Sequence, residues 1–186
     1  MNIIMIEDTV SGYKHRTMEN ASADVTIAIA ADFNTAGEKL TKKSVKEQGK
    51  LFIPLKFEPL RAEEQANYVI SKIKNYEETL KDRVKSLNIA GNGIYTIAKH
   101  NHVTQFHIDA YLYDLLKIIL PKTKVVLVRS GGQSGVDEAG VKASSLLGVS
   151  SLVLAPKGWK FRDLLNRDFS DKLAFKHRFM LYVGEQ

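Results

Sequence analysis

Short runs of β-branched apolar residues alternate along this chain with longer stretches whose apolar positions recur every three or four residues. Lys124-Val-Val-Leu-Val128 reads as a buried strand. After it, Val136, Ala139, Gly140, Ala143, Leu146 and Leu147 share one helical face, and Gly148 supplies the stop. Upstream, the pattern predicts a helix over 13–23, a strand over 25–31, and a helix opened by Thr35 that ends near Gly49. A strand over 50–57 contains Pro54, which suits a sheet edge. The helix over 61–85 buries Ala62, Ala66, Val69, Ile70 and Ile73. Residues 87–90 form the next strand, which Ile94–Ile97 continues past the Gly91-Asn-Gly93 turn. A helix capped by Thr104 runs to Leu120 and buries Phe106, Ala110, Tyr113, Leu116 and Leu120, before Pro121 stops it. Residues 151–155 make another buried strand, and Phe179–Val183 an extra edge strand.

This alternation implies an α/β fold: a three-layer, Rossmann-like, doubly wound, mainly parallel sheet, in one domain over 1–186. Ligands of such sheets bind beyond the carboxyl ends of the strands, where strand order reverses. The segments 32–41, 91–95, 130–137 and 156–159 each follow a strand, so they emerge at one edge.

Composition narrows the chemistry. Cysteine is absent, which excludes disulfides, thiol catalysis and thiolate metal sites. A net charge of +6 favours anionic partners. The lysines are dispersed and do not alternate with aromatics, which favours a phosphorylated small molecule over specific nucleic-acid binding. Without an apolar run of membrane-spanning length or a signal-peptide pattern, the expectation is a cytoplasmic protein with no membrane partner. Self-association into a homo-oligomer is left open. His100, His102 and His107 lack acidic partners at ligand spacing, so no metal site is expected.

The stretch Arg129-Ser-Gly-Gly-Gln-Ser-Gly-Val-Asp137 lies between strand and helix, a place where glycine backbone and a helix N-terminus face an anion. It is neither a Walker A loop nor a GxGxxG. Ser130–Asp137, with Ala155-Pro-Lys-Gly158 after the next strand, resembles the molybdenum-cofactor carrier family. That family belongs to the SLOG group of Rossmann-like nucleotide-binding domains, which also holds the Lonely Guy phosphoribohydrolases. Glu7–Tyr13, Arg16, Thr17, Asn20 and Ala23–Ala30 resemble a further segment of that family, one that ordinarily follows the glycine loop. Here it comes first, so the resemblance implies a circularly permuted SLOG-type domain.

The resemblance implies ligand contacts from Ser130, Gly131, Gly132, Gln133, Ser134, Gly135 and Asp137, from Lys157 and Gly158, and from Arg16, Thr17 and Asn20. Arg16 and Asn20, four apart, share a helical face that without the resemblance reads as solvated surface. Gly132 is read as the point where backbone approaches the ligand. The next strand–helix junction departs from the family, with Ala36-Gly37-Glu38 in place of paired glycines. Thr35 and Glu38 fit a capping box there, while Thr35, Gly37 and Thr41 remain polar lining. The Lonely Guy prolyl-glycine turn and its glutamate are not reproduced.

The leading expectation is a binder of a nucleotide or nucleotide-derived molecule, including a signalling nucleotide or ADP-ribose derivative, for carriage, sensing or sequestration, with no cofactor established. One alternative is a hydrolase of an N-glycosidic or phosphate-ester bond, with Asp137 and Glu138 as candidate carboxylates and Asp32 and Glu38 facing them. The other is a molybdopterin carrier. Trp159 either stacks on a base or covers the core.

Overall fold

A computed structural model describes residues 3–180 of the chain. The apolar runs form six parallel strands: β1 (Ile3–Glu7), β2 (Val25–Ala30), β3 (Leu51–Lys56), β4 (Ser86–Gly91), β5 (Leu127–Ser130) and β6 (Ser150–Ala155). Their spatial order is β1-β6-β5-β4-β2-β3. From β2 the chain moves to one edge, at β3; from β4 it moves the opposite way, through β5 to β6. Strand order therefore reverses between β2 and β4, the pairing in which Ala28 sits beside Ala90.

β2 is buried throughout, as expected for a central strand carrying β-branched and small residues. Its Val25, Ile27 and Ile29 face one large core cluster with α3 (Ala62–Leu80), α5 (Gln105–Ile119) and α6 (Val136–Leu146). The opposite face carries α1 (Lys14–Asn20) and α2 (Ala36–Glu47), which pack on each other. A sheet covered on both sides gives the three-layer, Rossmann-like architecture. Pro54 does lie on an edge strand, where its missing N–H breaks no ladder. The stripe on α3 is buried as its spacing predicts.

Several elements differ from the sequence reading. Ile94–Ile97 does not extend β4; it opens α4 (Ile94–Asn101), with Ile94 and Ile97 buried one turn apart. α5 buries Ile108, Tyr111, Leu112, Leu115, Leu116 and Ile119, leaving Phe106, Ala110 and Tyr113 exposed. The six buried residues recur at helical spacing, and the side-chain amide of Gln105 ties the start of α5 to the glycine loop, taking Gly135 N–H at 2.7 Å and donating to Gly135 C=O at 2.9 Å. Leu146 is exposed, and β5 begins at Leu127, after an exposed Val126. α1 ends at Asn20, and α3 ends at Leu80, where Lys81 turns left-handed at φ 55°.

Two pieces have no counterpart in the sequence reading. β1 pairs with β6 at the far edge, from Ile3 beside Ser151 to Glu7 beside Ala155. After β6 comes an antiparallel hairpin, β7 (Lys160–Arg162) and β8 (Asp168–Ser170), then a short helix α7 (Lys172–His177). α7 carries Phe175 into a second cluster with Val141, Val153, Trp159 and Phe179. Phe179 and Met180 form a turn, and the remainder of the expected strand 179–183 lies outside the described residues.

α6 lies so close to β4 that a Cβ on Gly140 would fall 2.5 Å from Ile89 Cγ2. Gly140→Ala is therefore expected to lower stability by about 1–3 kcal/mol in urea unfolding. Gly37→Ala, whose added carbon meets nothing within 4 Å, is the control. It should be neutral, or stabilising by about 0.4–1 kcal/mol.

Candidate functional site

All six strands point the same way, so the loops after their carboxyl ends share one edge of the sheet. There they wall a cleft of about 550 Å³, a size typical of small-molecule sites. α1 supplies Arg16, Thr17 and Asn20; the start of α2 supplies Thr35, Gly37, Glu38 and Thr41. The end of β4 adds Asn88 and residues 90–96, and the β5–α6 loop adds Gly131, Gln133, Ser134 and Asp137. Lys157 and the hairpin residues Lys160, Phe161 and Arg162 form the remaining wall.

Asn92 sets the shape of the inner end. Its Oδ1 accepts from Ala31 N–H and Asp32 N–H, both at 2.9 Å. Its Nδ2 donates to Asp32 C=O at 3.1 Å and to Glu38 Oε1 at 3.4 Å. Thr35 caps α2 by accepting from Glu38 N–H at 3.3 Å. The other half of the expected capping box is absent, because the Glu38 carboxylate turns into the cleft instead of back to the Thr35 N–H. It is buried there, and its Oε2 has no hydrogen-bond partner.

The glycine loop is occupied from within. Asp137 Oδ2 takes Gln133 N–H at 3.4 Å, and Gly131 N–H leans on the same carboxylate. Gly132 N–H reaches Ser130 Oγ at 3.4 Å, and Gly135 N–H is held by Gln105. Ser130 Oγ donates to Asp137 C=O at 3.0 Å, and Ser134 Oγ donates to Arg162 C=O. Ser130, Gly132, Gly135 and Gly158, expected to touch ligand, thus stand outside the cleft lining. A Cβ on Gly132 would meet Val153 and Phe175 at 2.5 and 2.7 Å, so this glycine accommodates the core and not a ligand. Gly158 N–H is bound to Glu7 Oε1 at 2.6 Å.

Of the expected contacts, Arg16, Thr17, Asn20, Thr35, Gly37, Gly131, Gln133, Ser134, Asp137 and Lys157 line the one cleft. Arg16 is 5% exposed, not the surface residue its helical spacing suggested. Burial lowers its guanidinium pKa against the pull of Asp137, Tyr13 and Asp8, and its Nη1 has no hydrogen-bond partner. Asn20 Oδ1 and Asn88 Oδ1 are also buried without partners. Asn88 and Asn92 were missed by sequence reasoning, although a polar Asn88 inside an apolar strand is a detectable signal.

Of the three carboxylates in the lining, the Arg162 hydrogen bond holds Asp168 below its ordinary value, while Glu38 and Asp137 are both hard to ionise. Burial, and then the charge of Asp137, pushes Glu38 up to about 7, against the Asn92 hydrogen bond. Burial pushes Asp137 up to about 6, against the pull of Arg16 and the loop N–H groups. Glu138 does not join them. It points away into ion pairs with Lys142 and Arg178, each at 2.6 Å. Asp32 holds Asn34 N–H at 2.8 Å and is not part of the lining either. Trp159 is 7% exposed, donates from Nε1 to Glu7 and packs edge-on against Phe175, so it covers core.

His107 Nδ1 accepts from Thr104 N–H at 3.1 Å, closing the α5 capping box. His100 ends α4, and His102 is its left-handed C-cap. Among the described residues no group of three His, Cys, Asp or Glu side chains is placed to hold a metal ion, and no helix is long and apolar enough to cross a membrane.

The ordinary value for Glu38 is 4.5, and for Asp137 3.8. Between those values and about 7 and about 6, the folded chain keeps protons that the unfolded chain has released. Their contribution to stability therefore falls as pH rises through this window. Glu38→Gln should be more stable than the wild type at pH 8 by about 1–3 kcal/mol, with the difference vanishing near pH 4; urea unfolding at both pH values measures it. Compared with models of known protein families, with curated proteins and with solved structures, the chain matches none.

Proposed function

We propose that the cleft binds a phosphate-bearing nucleotide or nucleotide-derived small molecule, with Arg16 as its principal anion contact. One observation carries this reading: a guanidinium 5% exposed, lining the cleft, with Nη1 unpartnered. A buried charge without a hydrogen-bonded partner is costly, and in a cleft of ligand size an anion supplies what the protein withholds. The cleft's position at the reversal of strand order supports the same reading. So does the resemblance of Ser130–Asp137 and Lys157 to SLOG-type domains, with α1 brought beside the glycine loop. A Cβ on Gly131 would lie 3.3 Å from Arg16 Nε and 3.7 Å from Asn20 Nδ2. The phosphate contact is thereby moved from the loop N–H groups, which are engaged internally, to Arg16, with Lys157 at the rim.

Glu38 and Asp137 favour hydrolysis of an N-glycosidic bond as a second reading. Two carboxyls titrating near neutrality in one cavity suit proton transfer, with a protonated one donating to the leaving base while an ionised one activates water. Incubation with ribonucleotides and analysis for free base tests it; Glu38→Gln and Asp137→Asn should each remove any product formed by the wild type.

Isothermal titration with a panel of nucleoside phosphates and ADP-ribose tests the binding reading. Arg16→Ala should weaken the ligand bound by the wild type about tenfold or more. Its melting temperature should stay close to that of the wild type, because a desolvated guanidinium is removed while Asp137 loses a compensating charge. Unchanged affinity in a folded Arg16→Ala protein would sink this reading.

A further inference from the structure

We infer that the part of the cleft walled by Glu38 and Asn88 takes the vicinal hydroxyls of a ribose, so the site selects ribonucleotides over deoxyribonucleotides. This names the ligand class of the cleft and rests on its reading as a nucleotide site. The argument starts from which polar atoms the protein leaves unpartnered. In the cleft these are one donor, Arg16 Nη1, and three acceptors, Glu38 Oε2, Asn20 Oδ1 and Asn88 Oδ1. Each belongs to a side chain at most 5% exposed. Buried acceptors left empty are costly, so the bound molecule must bring donors as well as an anion. A fully ionised phosphate has none to give.

Asn20 stands on α1 with Arg16, whereas the other two acceptors come from different elements. Arg16 stands on α1, beyond β1, and neighbours the glycine loop. Glu38 and Asn88 stand on α2 and β4, where strand order reverses. Asp137, also in the lining, acts electrostatically on both Arg16 and Glu38. A ligand spanning them presents its phosphate to Arg16 and its donors to Glu38. Three features make those donors hydroxyls instead of an ammonium. Asn88 offers a neutral acceptor, Asn92 Nδ2 already donates to Glu38 Oε1, and the chain carries a net charge of +6. Adjacent hydroxyls can donate to a carboxylate and to an amide oxygen together. Phosphate and vicinal hydroxyls on one compact skeleton describe a ribonucleotide.

The test is isothermal titration at pH 8, where Glu38 is ionised, with four matched pairs of nucleoside and 2′-deoxynucleoside 5′-monophosphates and inorganic phosphate as the anion-only probe. Wild-type protein, Glu38→Gln and Arg16→Ala are compared after thermal melts establish folding. Glu38→Gln keeps the side-chain volume, and the Thr35 cap is made to backbone N–H, so this variant retains α2. The wild type should bind at least one ribonucleotide about tenfold or more tightly than its deoxy partner, the worth of a charge-assisted hydrogen bond. Glu38→Gln should bring that ratio close to one, without weakening inorganic phosphate. Arg16→Ala should weaken both members of the pair and leave the ratio standing. Equal affinity for both members in the wild type, or an unchanged ratio in Glu38→Gln, would overturn the hydroxyl assignment while the phosphate site survives. No binding by any member of the panel would overturn the nucleotide reading and this assignment with it.

Discussion

The side-chain amide of Asn92 holds together the part of the molecule on which the cleft depends. Where strand order reverses, the segments leaving β2 and β4 turn to opposite faces of the sheet, and the gap between them exposes backbone donors that no ladder satisfies. Asn92 takes two of them, Ala31 N–H and Asp32 N–H, and returns its own N–H groups to Asp32 and Glu38. The hydrogen bonds that close the sheet end also aim a carboxylate into the opening. Fold and site are therefore connected through one residue, 4% exposed.

The glycine loop plays a different part from the one its composition suggests. Its N–H groups converge, as such loops do, but on Asp137 and on Gln105 from a neighbouring helix. Glu138 and Lys142, next along α6, are tied to Asp109 of α5 and Arg178 after α7. Arg178 also donates to Gly132 C=O at 2.7 Å and lies 4.4 Å from the ring centres of Phe161 and Phe175. The loop is thus fixed from behind by a buried ionic network, and from the front by the hairpin, whose Lys160 C=O receives Gln133 Nε2 at 2.9 Å. Such a loop is a rigid wall, which leaves ligand recognition to the side chains around it.

Those side chains are poised against each other. Arg16 eases the ionisation of Asp137, and Asp137 hinders that of Glu38. Arg16 Nη1 and Glu38 Oε2 have no hydrogen-bond partner in the protein, an arrangement that costs stability. The rim is basic and exposed at Lys157 and Lys160, while the inner end carries Glu38, Asn88 and Asn92.

The sequence by itself determined the α/β alternation, the parallel sheet and the edge at which the cleft opens. These follow from short-range periodicity: β2 is apolar at every position but one, and the α3 stripe repeats at helical spacing. It also located Arg16, Asn20, Gly131 and Asp137, through a resemblance and not through spacing. It overlooked β1, although Ile3-Ile-Met-Ile6 is as apolar as the strands it recognised, because alternation was counted from the first helix. Other features were decided only by tertiary structure. The start of α5 is tied to the glycine loop through Gln105 and Gly135, 30 residues away. Whether Glu38 caps its own helix or faces the cleft depends on Asn92, 54 residues on. Whether Arg16 is solvated or buried depends on α1 packing beside the β5–α6 loop. Periodicity reports which residues seek burial, but a polar side chain takes its role from the partner that reaches it, and those partners come from distant parts of the chain.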